Sequence, residues 1–343
     1  ICPKKAIKII DSWTEYNAVI DTEQCIQCNA CHNACQNNVK QILTKPIYWK
    51  QGWAQDNCIR MRSSSGGVAA AIERAFIKNG GIVCSCTFNF GKFEFDFAES
   101  EDEVSKFTGS KYVKSNPEGV YKKILENLKL GRKVLFVGLP CQVSAVRHYT
   151  RNYQNLYTVD LICHGVPSPK VWRKYLEYKK ETHGSYPTEV NFRSKDELGW
   201  DDFQVKYKYI NEEENIHHNE DYYMNFFLRN YDLRESCYNC HFKKVHRNSD
   251  LTVADFWGIN DIIPKFNDKK GVSSLMINSK KGEEIFEGVK LNIDFIKVGI
   301  ESIIKYNSPL CNSVPYNKDR EQFFECLDND NFNEIVNKFL NNK

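Results

Sequence analysis

The run Cys25-Ile-Gln-Cys28-Asn-Ala-Cys31-His-Asn-Ala-Cys35 sets four thiols at short, regular intervals, and an isolated Cys2-Pro3 stands ahead of it. In such a run the first three cysteines hold one 4Fe–4S cubane, and the fourth, usually followed by proline, crosses to a second cluster. Cys2-Pro3 then reads as the last element of an earlier run. Cys2 completes the cluster of Cys25, Cys28 and Cys31, and Cys35 serves a cluster whose other ligands are not in this sequence. With a first residue of Ile1 rather than Met, this leads to the expectation that the natural protein extends upstream. Gln36 replaces the usual proline after Cys35 and leaves the three-cysteine core intact. Closely spaced cysteines also serve zinc sites and disulfides. Three at two-residue intervals crowd a tetrahedral ion and suit the corners of a cubane, so the chemistry expected is electron transfer.

The chain has 343 residues, enough for two or three modest domains and a proper core. Its 47 basic and 44 acidic side chains give a net charge of +3 and are interspersed, which predicts no nucleic-acid partner. No apolar run approaches the roughly 20 residues that a membrane span needs. The richest, 133–138, reads as one buried strand. Cluster thiolates require a reducing compartment, so the 14 cysteines point to the cytoplasm rather than to a disulfide framework.

Beyond residue 45 and a short stretch containing Pro46, helix and strand signals alternate. Ser63-Ser-Ser-Gly66-Gly67 opens an alanine-rich helix that Gly80-Gly81 ends. Strands are expected at 82–86, 93–97, 133–138 and 157–162, with a helix at 118–130 and another starting at Pro140. Ser168-Pro169 caps a helix running to about residue 180. Strand-like segments follow at 189–192 and 203–210, then a helix at 221–230, then a buried strand at 251–254 that delivers Asp255-Phe-Trp257-Gly258. The pattern predicts an α+β N-terminal ferredoxin-like segment, then an α/β domain with a mixed sheet, then a mainly helical C-terminal tail.

A second set of cysteines, Cys141, Cys163, Cys237 and Cys240, falls in loops just after predicted elements, where the sites of α/β sheets gather. Cys141 is expected in the first turn of a helix, where amides and dipole favour a thiolate. Cys237 and Cys240 form a chelating pair. Read from the residues alone, the four could be cluster or zinc ligands, or Cys141 and Cys163 simply small buried side chains. Ordinary packing explains Cys58, Cys84, Cys86, Cys311 and Cys326. His32, His164, His217, His218, His241 and His246 read as solvent-facing, as does the basic stretch Lys243, Lys244, His246 and Arg247, whose position after the cysteine pair could also offset cluster charge.

At these residues the chain resembles the beta-subunit family of coenzyme F420 hydrogenases and dehydrogenases. The matching pieces are Ser65-Gly-Gly-Val68, Gly109-Ser-Lys-Tyr-Val-Lys-Ser115, Val137-Gly-Leu-Pro-Cys-Gln142, Cys163-His-Gly-Val-Pro-Ser168, Cys237-Tyr-Asn-Cys240 and Asp250-Leu-Thr-Val-Ala-Asp-Phe-Trp-Gly258, in the family's order. The resemblance implies FAD, an additional 4Fe–4S centre held by Cys141, Cys163, Cys237 and Cys240, and coenzyme F420 or another small molecule as electron donor or acceptor. It also implies a redox partner protein or subunit. Ser65, Gly66 and Gly67 suit a pyrophosphate at a helix N-terminus, and Ser110, Lys111 and Tyr112 are expected to contact the flavin. The expected division is 1–45 ferredoxin-like, 46–62 linker, 63–270 flavin and iron–sulfur domain, and 271–343 C-terminal region. A flavin takes electrons in pairs and clusters carry them singly, so the predicted activity is their interconversion by an oxidoreductase. The competing expectation is a cluster-bearing adaptor without its own flavin, linked to surface polysaccharide synthesis. No residue stands out as a catalytic acid or base.

Overall fold

A computed structural model describes residues 1–11, 16–38 and 41–341. The chain opens with the antiparallel pair β1 (Ile7–Asp11) and β2 (Tyr16–Ile20), followed by α1 (Ala30–Ala34). Strand β3 (Tyr48–Ala54), α2 (Asn57–Arg62) and α3 (Val68–Lys78) come next. They lead into β4 (Ile82–Asn89), β5 (Lys92–Ala98), α4 (Val120–Lys129), β6 (Val134–Gly138), α5 (Pro140–Tyr149) and β7 (Leu156–Leu161). Further on, β11 (Leu251–Asp255), β12 (Ser273–Ile277) and β13 (Ile293–Ile296) complete an eight-stranded sheet in the order β13-β3-β12-β11-β7-β6-β4-β5. The four central strands β11, β7, β6 and β4 are parallel, and the flanking ones antiparallel, so the sheet is mixed as expected.

Parallel strands are covered on both faces, which is why Val134–Gly138 is apolar and buried throughout. Alternation along β6 splits its side chains between two cores. Leu135 and Val137 pack with Ile72 and Phe76 of α3 and with Phe286 of the Lys280–Val289 helix. Val134 and Phe136 face Ile124 and Leu128 of α4 and Val143 and Val146 of α5.

A second, three-stranded antiparallel sheet is built from β8 (Glu189–Ser194), β9 (Gln204–Lys208) and β10 (Glu213–His217). It shares an aromatic core with α6 (Pro169–His183), α7 (Tyr222–Leu228) and the helices Arg320–Asn329 and Phe332–Val336. Helix α6 begins as read: Ser168 Oγ accepts from the Lys170 amide, and proline takes the first position. The buried Asp221 caps α7 through the Met224 amide and accepts from Tyr175 Oη at 2.7 Å and Tyr207 Oη at 2.9 Å.

Two expectations change. Residues 46–62 contain β3, an inner strand of the large sheet, together with α2, and so are part of the fold rather than a linker. The tail is largely helical, but β12 and β13 inside it pair with β3 and β11. Strands of five and four residues leave too short a pattern to read locally, and their partners lie far away in sequence.

Nor is the basic stretch after the cysteine pair solvated throughout. Arg247 is 3% exposed and its Nη2 lies 2.7 Å from Oδ2 of the fully buried Asp160. Its backbone exchanges hydrogen bonds with Thr44, and Ser144 Oγ donates to Gln41 Oε1, so the cysteine-rich N-terminal segment is fastened to the main domain. Arg247→Met should strand the Asp160 carboxylate and lower the unfolding free energy by about 3–5 kcal/mol. Denaturant titration checks this, and adding Asp160→Asn should recover much of the loss.

Candidate cofactor cavity and thiol group

Because β4, β6, β7 and β11 are parallel, the segments that follow them emerge on one side, the usual place for a ligand crevice. A cavity of about 490 Å³ lies there, a size suited to a cofactor. Its wall includes Cys86 of β4, Gly138 at the end of β6 and Leu139 after it, Cys163 to Pro167 after β7, Asp255 at the end of β11 and Trp257 beyond it. The start of α3 and the loop 107–113 close the other side.

Ser65, Gly67, Ser110, Lys111 and Tyr112 all line this cavity. Gly67 is the N-cap of α3 with φ +79°, a left-handed value that glycine adopts without strain. No side chain caps the helix, and its first-turn residues Val68, Ala69 and Ala70 face the cavity, which leaves a donor-rich helix end beside it. Gly66 does a different job. A Cβ there would lie 2.6 Å from the Gly52 carbonyl oxygen and 2.7 Å from the Ser273 nitrogen, so its smallness lets the loop sit on β3 and β12. Ser64 Oγ accepts from the Ser110 amide at 2.7 Å and joins the two loops.

Two lysines, the half-buried Lys111 and the buried Lys195, hold these loops in shape. Lys111 was expected to reach a flavin, but its ammonium donates to the carbonyls of Phe107, Thr108 and Gly109, using all three of its protons within its own loop. Lys195 likewise donates to the carbonyls of Arg60, Ser65 and Lys270 at 2.6–2.8 Å. Burial and the cations of Arg60 and Arg193 push the Lys195 pKa down to about 7. Tyr112 stacks on Phe227, with ring centroids 4.8 Å apart, and contributes an aromatic wall.

The four scattered cysteines come together. Burial raises the Cys163 thiol, and Cys237, Cys141 and Cys240 raise it further against the opposing charge of Lys243. Cys237 is pushed up to about 11 by burial and by Cys141 and Cys240. Cys141 takes the second position of α5, yet burial outweighs the amides and raises its thiol too, contrary to the expected thiolate. Cations surround the group. Lys243 donates to the carbonyls of Cys163 and His164, while Arg234 and the half-buried Lys114 lie in the field of Cys141 and Cys237. No hydrogen bond or ion pair is made by the Lys114 ammonium among the described residues. Half-buried thiols with three cations close by suit ligands of an anionic cluster, whose negative charge those cations would offset.

In the N-terminal run, Gln27 (φ +54°) and Asn29 (φ +57°) turn left-handed, one between each successive pair of Cys25, Cys28 and Cys31. Cys2 Sγ accepts from the Ala6 amide at 3.3 Å, a bond that lowers its pKa and favours the thiolate a cluster needs. Cys35 ends α1. Helix α1 packs on α5, which carries Cys141, so the two cysteine sets occupy neighbouring parts of the molecule.

Glu73 and Arg193 had no signal in the sequence, and His164 and Asp255 lay in matching pieces without a role of their own. Glu73 is 4% exposed in the cavity wall, where burial raises its pKa to about 7 against the pull of Lys111 and Ser85. His164 is not solvent-facing: its Nε2 lies 2.7 Å from Asn230 Oδ1, and its ring meets Phe227 edge-on in the same wall. Asp255 pairs with the buried Arg193 at 2.8 Å, whose guanidinium lies 4.9 Å from the Trp257 ring centre. Only their helix or strand phase was legible, because partners come from distant segments.

Residues 131–299 match the sequence model for the C terminus of the coenzyme F420 hydrogenase/dehydrogenase beta subunit, and residues 18–41 match that of a 4Fe-4S binding domain. The beta-subunit resemblance holds. Cys141, Cys163, Cys237 and Cys240 all fall within the beta-subunit match and Cys25, Cys28, Cys31 and Cys35 within the 4Fe-4S match, whereas Ser65 to Gly67 and Ser110 to Tyr112 precede the beta-subunit match. A chain of the F420-reducing NiFe hydrogenase complex from Methanosarcina barkeri, solved in a xenon-derivatised form, shares the fold with a TM-score of 0.53. It is 16% identical over 84% of this chain and 95% of that one. No curated protein matches the sequence.

Glu73 gives this site a pH signature. Its pKa is raised on folding, so the folded state holds the extra proton between the ordinary carboxyl range and about pH 7, and stability falls as pH rises through that window. Glu73→Gln should therefore gain stability relative to the parent between pH 5 and pH 8, on the order of 2–3 kcal/mol. Denaturant unfolding at the two pH values measures it, and equal differences at both would contradict the assignment.

Proposed function

We propose that the chain is an iron–sulfur flavoprotein oxidoreductase that interconverts hydride transfer at FAD with single-electron transfer through 4Fe–4S clusters. Coenzyme F420 or another small molecule would be the two-electron donor or acceptor, and a redox partner protein or subunit would exchange the single electrons, in the cytoplasm. The observation that carries the reading is that Cys163 belongs to the cavity wall and to the four-thiol group at once. A planar redox cofactor in this cavity would lie against a cluster ligand, within the short range that electron transfer requires.

The residues fit both groups. The uncapped first turn of α3, with Ser65 and Gly67, offers amides and a dipole to a pyrophosphate. Tyr112, Phe227 and Val253 supply flat and apolar surface for a ring. Lys111 and Lys195 keep the two loops in place by clamping their carbonyls. Cys141, Cys163, Cys237 and Cys240 would hold one cluster, and Lys114, Arg234 and Lys243 would offset its charge. Cys2, Cys25, Cys28 and Cys31 would hold another, with α1, which carries Cys31, packed against α5. When bound, FAD supplies the step between paired and single electrons, which no side chain can perform.

Flavin content is the decisive test. Anaerobically purified protein should release FAD on denaturation, and Ala69→Phe, which fills the cavity at the first turn of α3, should lower flavin content about tenfold or more without loss of iron. An iron-replete parent protein free of flavin would replace this reading with the electron-transfer adaptor.

The two cysteine sets should separate genetically. Cys28→Ser is expected to remove the ferredoxin-type cluster while flavin stays bound, and Cys240→Ser to perturb the cluster beside the flavin, each read by iron analysis and electron paramagnetic resonance. Loss of the same signal from both variants would mean that the second group holds no cluster.

A further inference from the structure

Away from the cavity, Asp202, His217 and His218 place one ligand atom each within 4.8 Å of one another. The pairing of β9 with β10 explains why. His217 ends β10 opposite Gln204, the first residue of β9, so Asp202, two residues earlier, arrives beside the histidine pair. His217 Nε2 lies 2.7 Å from Asp202 Oδ1, and the two imidazole centres are 4.5 Å apart.

The hydrogen bonds decide which nitrogens are available. His218 Nδ1 lies 3.0 Å from the Phe203 carbonyl oxygen, which can only accept, so the proton sits on Nδ1 and the Nε2 lone pair is free. Histidines that bind metals are commonly oriented in this way through their other ring nitrogen. The Asn219 amide donates to His217 Nδ1 at 3.3 Å, which places the proton of the neutral ring on Nε2, facing Asp202. A metal entering between Nε2 and Oδ1 moves that proton to Nδ1 and releases the Asn219 amide, with no net proton lost.

We propose that Asp202, His217 and His218 form a binding site for a divalent transition metal of the Zn²⁺ class, with its remaining position open to solvent. Two imidazoles and one carboxylate suit such an ion and not Ca²⁺ or Mg²⁺, which take all-oxygen shells. The site shares no residue with the cysteine groups. It lies close in sequence to a residue that packs on the cavity wall: Trp200, two residues before Asp202, stacks on Trp257 at 4.7 Å, and Trp257 lines the cavity.

The test uses iron-replete holoprotein dialysed against Zn²⁺ and compared with His217→Ala and His218→Ala, iron content serving as the check on folding. The parent should retain one zinc per chain more than either variant. Its zinc absorption edge should show nitrogen and oxygen neighbours at about 2.0–2.1 Å. The milder Asp202→Asn should weaken zinc binding about tenfold or more. Equal zinc uptake by all the proteins, or a sulfur shell at about 2.3 Å showing zinc on cysteines, overturns the proposal.

Discussion

The parallel pairing of β4, β6, β7 and β11 is the constraint from which the site follows. Strands that run the same way must end on the same side, so the segments carrying Cys141, Cys163 and Trp257 cannot avoid meeting there. The two cores hold that sheet from both faces through the alternation of Val134 to Val137. Cys237 and Cys240 arrive by another route, from the short helix Glu235–Tyr238 and the turn beyond it, and reach the same thiol group.

Charge is used in two ways around the cavity. Lys111 and Lys195 spend their ammonium protons on backbone carbonyls, so they act as fasteners for loops that would otherwise have to be held by packing alone. Lys114, Arg234 and Lys243 lie close to the thiols, Lys243 through the carbonyls of Cys163 and His164. The first pair shapes the space, and the second group sets its potential. A positive field around a cluster favours the electron-rich state, because added negative charge is stabilised there.

The cysteine-rich N-terminal segment depends on the main domain for its position. Thr44 pairs with Arg247, whose guanidinium is anchored on buried Asp160 of β7, and Cys163 follows two residues after the end of β7. One ion pair thus connects the docking of the N-terminal thiols to the strand that presents the inner ones. Breaking it leaves a carboxylate in the centre of the sheet without its cation.

Locally encoded features were legible in the sequence by itself. The cysteine run, the glycine-opened helix α3, the proline starts of α5 and α6, and the apolar runs of the parallel strands each depend on residues within a few positions of one another. The structure moved the boundaries where pairing is remote: β3 joined the sheet from a segment read as a linker, and β12 and β13 joined it from the tail. It also reassigned roles that spacing cannot reveal. Gly66 serves close packing against β3, Lys111 holds its own loop, and Glu73 and Arg193 enter the site from unremarkable surroundings. Residue type and period travel along the chain and can be read there. Which cation faces which thiol depends on contacts between separate segments, such as Lys114 with Cys237 and Lys243 with Cys163, and only folding brings them within range.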